Sequence, residues 1–495
     1  MNSRRDFIKK ATVVASGITV LPSFTVSGLG HKAPSDKLNI AGVGVGGKGF
    51  ANLKAMDTEN IVALCDVDWN YADKCFKAFP NAKKYRDWRK MFDEMGDSID
   101  AVMIATPDHT HAIITARAIE MGKHVYCQKP LTHSVYESRL LTKMAAKYQV
   151  ATQMGNQGAS GDGVRRLCEW IWNGEIGEVK EVHAWTNRPL WPQGLERPSE
   201  KMNVPDYLNW ELFVGPAPMR PYHEIYHPWN WRGWWDFGTG AFGDMACHII
   251  DPVYRSLKLG YPDKVRGSST EFNTESAPQA ETVEYTFPAR GNMPKVNMPE
   301  AKFYWYDGGL LPMRSDIIPE GENLMADNMG GCLFVGTQDA LLCNTGGYNP
   351  RLVSGRVPQA KPQLRRIPGD TDSGYVDGPH EQDWIRACKE SPENRMETAS
   401  NFAYAGPFNE MVLLGVLAVR LKTLGKALEW DAENMKFLNI NDDEVLRVLS
   451  SDDFEIRNGH PHFNKQYASL NALKTSREYI KHTYREGWEL PGMPK

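Results

Sequence analysis

A glycine-rich segment near the start of the chain carries the first chemistry that the sequence suggests. Gly44, Val45, Gly46 and Gly49 form a G-x-G-x-x-G pattern directly after a short apolar run. In such a pattern the first glycine permits a tight turn, the second lets the backbone approach a pyrophosphate, and the third allows close helix packing. The pattern also fits one register earlier, from Gly42, but the later register leaves a valine as the last strand residue. These residues predict a dinucleotide-binding turn.

A carboxylate follows at a spacing that selects between nicotinamide dinucleotides. Asp66 stands 20 residues after Gly46, at the end of the second apolar run. A carboxylate there accepts hydrogen bonds from the ribose hydroxyls and repels a 2′-phosphate. Asp68, two residues further into the loop, is the competing candidate. The spacing favours NAD over NADP, with Asp66 as the ribose ligand.

Polar residues also follow the next two apolar runs. Thr106, Pro107 and His111 come after the third run, and Lys129 comes after the fourth. Ligands bind beyond the carboxyl ends of the strands in an open parallel sheet. Both segments are therefore predicted to border the cofactor.

A carboxylate and an imidazole lie four residues apart further along the chain. On a helix, Asp244 and His248 would share one face. Imidazole is the side chain whose ordinary pKa lies nearest neutrality, which suits a general acid or base. The pair is therefore a candidate for proton transfer.

Two patterns of secondary structure position these residues. Over residues 34–154, strand-like and helix-like segments alternate at the pace of a doubly wound parallel sheet, which predicts a Rossmann domain. The predicted strands are 38–43, 61–67, 101–105 and 124–127, and the predicted helices are 50–56, 69–79, 111–121 and 134–148.

Residues 155–495 predict a larger α/β substrate domain with a mostly antiparallel, open sheet, so the fold class is α/β in two domains. An insertion at 188–235 is rich in proline, tryptophan and glycine. The predicted elements are the strands 179–185, 281–287 and 302–306 and the apolar helix 408–424.

On these motifs the chain resembles the Gfo/Idh/MocA oxidoreductases, named for glucose-fructose oxidoreductase and inositol dehydrogenase. That family usually carries Glu-Lys-Pro where residues 128–130 read Gln-Lys-Pro, and its Gly-Asp-x-x-x-His helix matches residues 243–248. The resemblance covers nearly the whole chain after the N-terminal segment. It implies that Lys129 lies beside the nicotinamide and the reacting carbon. It also implies that Asp244 and His248 reach the substrate hydroxyls and complete the catalytic group.

The resemblance implies NAD(H)-dependent hydride transfer to or from a secondary alcohol of a sugar, polyol or glycoside, with a 3-keto sugar as one product. Lys129 can stabilise an alkoxide or take the proton, so the proton-transfer role stays open between Lys129 and His248. One alternative is a glycosidase that uses bound NAD to oxidise its sugar transiently, although such relatives tend to lose the lysine motif. Another is a non-catalytic dinucleotide sensor, which the three candidate catalytic residues disfavour.

Composition narrows the classes of partner. Hydrophobic residues make up 41% and charged residues 24% of the chain, which is typical of a globular enzyme. The net charge of -4 gives no basic footprint for nucleic acid. The eight cysteines show neither metal-ligand spacing nor a disulfide framework, so no metal site is predicted. The family likeness implies a homo-oligomer, a dimer or tetramer, formed through the open face of the second sheet.

Residues 1–33 predict an export signal and hinge. Arg4 and Arg5, followed by Phe7 and Lys9, precede the uncharged run 11–21, as in a twin-arginine signal. The run is short for a membrane span, but no clear cleavage site follows, so it can remain as an anchor. The prediction is a periplasmic or exported bacterial protein without further integral membrane segments, favoured over a cytoplasmic one. Little free nucleotide is expected there, so the NAD is predicted to be tightly bound.

Overall fold

The computed structural model describes residues 36–313, 316–325, 329–370 and 376–494. The predicted signal and hinge, residues 1–33, lie outside the described residues. The described part contains a six-stranded sheet, a nine-stranded sheet and a separate two-stranded ribbon. The α/β class predicted from the sequence is confirmed.

Six short strands form a parallel sheet in the N-terminal domain. They are β1 Asn39–Val43, β2 Asn60–Cys65, β3 Lys83–Tyr85, β4 Ala101–Ile104, β5 His124–Cys127 and β6 Thr152–Met154. Their order is β3-β2-β1-β4-β5-β6, with every pair parallel. The strand order reverses between β1 and β4, so a crevice opens beyond the carboxyl ends of these two strands.

Five helices connect these strands. They are α1 Gly47–Ala55, α2 Asp73–Ala78, α3 Trp88–Met95, α4 Asp108–Glu120 and α5 Val135–Tyr148. Helix α2 is shorter than the predicted helix over 69–79 because the first residues of that segment bond elsewhere. The N–H of Trp69 donates to the carbonyl of Tyr207, and the N–H of Tyr71 donates to Asp68 Oδ1. The start of the segment is therefore held by the second domain and by a side-chain turn.

A mixed, mostly antiparallel sheet of nine strands forms the second domain, as predicted. The strands are β7 Val179–Thr186, β8 Lys264–Ser269, β9 Glu281–Phe287, β10 Ala301–Tyr306, β11 Gly330–Gly336, β12 Ala340–Asn344, β13 Arg351–Leu352, β14 Leu428–Asp431 and β15 Lys436–Phe437. Their order is β13-β12-β11-β7-β10-β9-β8-β14-β15. Of these pairs, β7 and β10 run parallel, so their carboxyl ends lie together.

Helices pack on this sheet and between the domains. They are α6 Asp162–Trp172, α7 Trp210–Val214, α8 Gly240–Ile249, α9 Asp251–Ser256, α10 Pro379–Cys388, α11 Phe402–Arg420 and α12 Ala472–Lys481. Helix α11 begins six residues before the predicted 408–424 because Asn401 caps it, its side chain accepting from the N–H of Tyr404. In the described part of the chain, α11 is the one helix long and apolar enough to span a membrane, and it lies mostly buried against α5, α8 and β8.

A long ribbon, absent from the sequence prediction, projects near the C-terminus. It consists of β16 Val445–Arg457 and β17 His460–Asn471, paired antiparallel and mostly exposed. Its polar and apolar residues do not alternate cleanly, because neither face is covered along most of its length.

Helix α10 returns the chain to the N-terminal sheet and joins a buried polar network there. Gln128 Nε2 donates to Asn52 Oδ1 at 2.8 Å, and Asn52 Nδ2 donates to Glu381 Oε1 at 2.7 Å. The hydroxyl of Tyr126 donates to the same Glu381 oxygen at 3.0 Å. All four side chains are buried. The carboxylate of this network thus comes from Glu381, and residue 128 contributes an N–H donor.

We expect Gln128→Glu to lower the free energy of unfolding by about 1–3 kcal/mol, because Asn52 would lose its donor and a second carboxylate would enter the buried network. Chemical denaturation of the full chain measures this. Gln466→Glu, on the exposed face of β17, is the matched control and should change stability by less than about 0.5 kcal/mol. Equal stability of the two variants would contradict this description of the network.

Candidate active site

The carboxyl ends of the N-terminal strands face helix α8 across a cavity of about 580 Å³. Three of the predicted cofactor residues, Val45, Gly49 and His111, lie outside its lining. The predicted site residues that line it are Gly44, Gly46, Asp66, Thr106, Pro107, Lys129, Asp244 and His248. The structure therefore brings the catalytic candidates and most of the cofactor candidates to one cavity.

The glycine turn has the shape that a dinucleotide requires. Gly44 has φ +74°, and a Cβ there would lie 2.7 Å from the carbonyl group of Ala105. A Cβ at Gly49 would lie 1.9 Å from the carbonyl oxygen of Gly44, so only glycine lets α1 start so close to the turn. Helix α1 begins directly after this turn, and the amino end of a helix is a favourable place for a pyrophosphate. The residues present thus fit an NAD pyrophosphate.

The Asp66 carboxylate lies at the edge of this turn and organises it. Its Oδ2 accepts from the N–H groups of Val45 and Gly46 at 2.8 and 3.1 Å, and its Oδ1 accepts from the N–H of Asp68 at 2.9 Å. Burial raises the pKa of Asp66, and the three N–H groups oppose that rise. Asp66 therefore shapes the turn and borders the place predicted for the ribose.

The other predicted cofactor residues tie together the loops after β4 and β5. His111 is buried, and its two ring nitrogens lie 2.8 Å from the carbonyl oxygens of Pro130 and Thr106. Burial lowers the pKa of His111 to about 4. The imidazole therefore lies behind the cavity wall and fixes the positions of Thr106 and Lys129 relative to each other.

Lys129 crosses to the second domain and pairs with α8. Its Nζ donates to Asp244 Oδ1 and to the Asp244 carbonyl, both at 2.8 Å. Arg232 Nε donates to the same carboxylate oxygen at 3.1 Å. Burial alone would raise the pKa of Asp244, but the two cations hold it well below its usual range. The site therefore contains a permanently ionised carboxylate shared by two cations.

His248 lies one turn along α8 and stays separate from this cluster. Within the described part of the chain, neither of its ring nitrogens has a hydrogen-bond partner, although the side chain lines the cavity. Burial, and next the nearby charge of Lys129, lower the pKa of His248 to about 3. Asp244 does not orient His248, because its carboxylate bonds to Lys129 and Arg232 instead. His248 presents a neutral imidazole to the cavity, and its lowered pKa makes that ring a weak base.

Several residues of the site were not singled out from the sequence. The guanidinium carbon of Arg232 lies 4.0 Å from the ring centroid of Trp229 and 4.4 Å from that of Trp231. Stacking on aromatic faces fixes a guanidinium that is also hydrogen-bonded. The signal was present in the sequence as an arginine among three tryptophans at residues 229–234.

A segment of the insertion at 188–235 crosses the adenosine end of the cavity, which is the end beside Asp66 where the adenosine of NAD is expected. The N–H of Asn209 donates to the carbonyl of Val67 at 2.9 Å, close to the bond from Trp69 to Tyr207 already described. His227 Nε2 lies 2.7 Å from Asp68 Oδ2, with both side chains nearly buried. Asp68, the competing candidate for the ribose, is therefore committed to holding the second domain over this end.

Comparison with known proteins agrees with this geometry. An oxidoreductase family model described as an NAD-binding Rossmann fold matches residues 37–156, and the same family's C-terminal α/β domain matches residues 178–289. Both matched regions belong to the Gfo/Idh/MocA oxidoreductase family, and the N-terminal domain is an NAD-binding Rossmann domain.

Named relatives match part of the chain. A levoglucosan dehydrogenase of Pseudarthrobacter phenanthrenivorans is 28% identical over 202 residues, which cover 41% of this chain and 43% of the relative. A glycosyl hydrolase family 109 protein of Shewanella pealeana is 25% identical, covering 37% of this chain and 45% of the relative. The chain thus spans less than half the length of these curated relatives. A crystal structure of levoglucosan dehydrogenase with NADH and levoglucosan aligns with a TM-score of 0.53 at 18% identity, covering 79% of this chain and 99% of the other, and shows the shared fold.

We expect Asp66→Ala to weaken NAD(H) binding by about 1–3 kcal/mol, because ribose hydroxyls and turn N–H groups lose an acceptor. NADP(H) binding should be unchanged or improved, since the charge that repels a 2′-phosphate is gone. Fluorescence titration of both nucleotides measures the ratio. Asp68→Ala is the comparison arm and should leave the ratio unchanged. Equal loss of both cofactors in Asp66→Ala would count against Asp66 as the ribose ligand.

Proposed function

We propose that this protein is an NAD(H)-dependent oxidoreductase that moves a hydride to or from a secondary alcohol of a sugar, polyol or glycoside. The observation that carries the proposal is the cluster of Lys129, Asp244 and unbonded His248 at the cavity that the glycine turn opens into. The dehydrogenase relatives support the same chemistry, and the substrate itself is left to experiment.

The residues divide the work of alcohol oxidation among them. Bound NAD supplies the hydride acceptor. Lys129, held by Asp244, places a cation where an alkoxide oxygen gains negative charge. The neutral ring of His248, without a partner in the described residues, takes the hydroxyl proton in passing, and because its lowered pKa makes it a weak base the proton goes on to solvent. Asp244 Oδ2 is left to accept from a neighbouring hydroxyl. In the reverse direction the same groups return the proton to a ketone.

A glycosidase that oxidises its sugar transiently is the second candidate, favoured by the relative from glycosyl hydrolase family 109. Mass spectrometry of products from a panel of sugars and glycosides separates the two. A keto sugar supports the dehydrogenase, whereas a released leaving alcohol without net redox change supports the glycosidase. If neither a keto sugar nor a released leaving alcohol forms, both candidate functions are contradicted.

On the substrate that this panel identifies, Lys129→Ala and His248→Ala should each lower kcat by about 100-fold or more, because a positioned proton-transfer or charge-stabilising group is lost. Circular dichroism checks that the fold is intact. Lys143→Ala, which changes a lysine on α5 outside the cavity lining, is the matched control. Near-normal turnover in either site variant would remove that residue from the mechanism.

We further propose that the protein is exported through a twin-arginine signal with NAD(H) already bound and retained during turnover. The crossing segment supports retention, because the contacts of Val67, Asp68 and Trp69 with the second domain lie beside the place expected for the adenosine and would hinder its release. A second sugar or other acceptor would then regenerate the cofactor in place.

Protein purified without added nucleotide and then denatured should release close to one NAD(H) per chain. His227→Ala should lower that occupancy because it removes the contact with Asp68, whereas His223→Ala, a histidine outside the cavity lining, should not. An empty wild-type site that binds and releases NAD freely would contradict retention.

A further inference from the structure

The substrate end of the cavity carries more positive than negative charge. Among the described residues that line it there, Lys129, Arg188 and Arg232 are cations, and Asp244 is the one carboxylate. Lys129 and Arg232 both pair with Asp244, so a single carboxylate serves two cations. Arg188 has no ion-pair partner among the described residues. Like charges that line one cavity with limited exposure to solvent favour an added anion.

Arg188 is held at a fixed place in the cavity wall. It follows β7, and its carbonyl accepts from the N–H of Gly308 at 2.6 Å, just after the parallel strand β10. Its guanidinium bonds to the neutral side-chain oxygen of Asn187 and makes no ion pair within the described ranges. The backbone is therefore anchored at the joined ends of two strands, and the cation is available to a ligand.

Arg232 offers a second donor on the same wall. Its Nε and Nη1 bond to Asp244 and to the carbonyl of Trp229, while Nη2 has no hydrogen-bond partner in the described part of the chain. The ring of Trp191, three residues after Arg188, lies 5.9 Å from the Arg232 guanidinium carbon. This contact brings the loop that carries Arg188 beside Arg232.

We propose that the sugar substrate carries an anionic group, a carboxylate or a phosphate, and that Arg188 binds it with help from Arg232 Nη2. This inference rests on the proposed function and names its substrate class. Guanidinium groups match carboxylate and phosphate oxygens in a planar, two-pronged geometry, and the stacked tryptophans keep Arg232 preorganised. An anion here neutralises the excess charge beside the reacting carbon. Neutral sugars would leave Arg188 without a counter-ion among the described residues.

The test is isothermal titration of NADH-loaded protein with glucose, galactose and mannose, each as the neutral sugar, the uronate and the 6-phosphate. We expect at least one anionic form to bind about 10-fold or more tightly than its neutral parent. The uronate and phosphate arms distinguish the two sources of the anion. No preference for any anionic form would overturn the proposal.

Arg188→Gln should abolish the preference, Arg188→Lys should keep part of it, and Arg457→Gln, on the exposed ribbon, should leave it intact. Affinity for NADH should be the same in all three variants. Equal loss of neutral and anionic binding in Arg188→Gln, or a loss of NADH binding, would overturn the role of Arg188. If anionic sugars bind as expected but no sugar is oxidised or reduced, the proposed function fails while the anion subsite stands.

Discussion

The ion pair between Lys129 and Asp244 is the interaction on which the site depends, because it joins the end of strand β5 to helix α8 across the two domains. Both side chains are nearly buried, so each has lost most of its hydration. Removing Asp244 would leave Lys129 as an unpaired charge, whereas removing Lys129 would leave Asp244 with Arg232 alone. Lys129, together with Arg232 on the same carboxylate, holds the pKa of Asp244 well below its usual range and keeps it ionised. The remaining elements of the fold set the positions of these groups: the parallel sheet places Lys129, and the nine-stranded sheet and α11 support α8.

The pairing of Asp244 with two cations also explains why the other polar side chains of the cavity have different roles. Burial and the nearby charge of Lys129 lower the pKa of His248, and Asp244 is committed to the cations, so His248 keeps a neutral ring. At the other end, Asp66 holds the glycine turn and Asp68 holds the second domain through His227. Three carboxylates in three environments thus have three roles: Asp244 holds the cations of the site, Asp66 shapes the glycine turn, and Asp68 fastens the second domain. The charge that Asp244 does not neutralise, at Arg188, is what makes an anionic substrate the expected partner.

Much of the N-terminal domain could be predicted from the sequence, because short buried strands, glycines and the carboxylate spacing are local signals. Gly44 and Asp66 lie where those signals placed them. Residues that act through contacts far along the chain could not be found in this way. Arg232, His227 and Glu381 look like surface or core residues until folding brings each to a partner more than ten positions away. Helix α2 is short for the same reason, since the second domain bonds to the residues before it, and the exposed ribbon lacks the alternation that predicts strands.

The central claim, that hydride passes between nicotinamide and sugar beside Lys129, is tested most directly by isotope transfer. The protein is loaded with NADH fully deuterated at C4 of the nicotinamide and reacted with the keto form of its sugar, and the label is located by mass spectrometry and NMR. The account predicts deuterium on the carbinol carbon of the product with the wild type and almost none with Lys129→Ala. A product without deuterium on the carbinol carbon, whose new hydrogen comes from solvent, would contradict it.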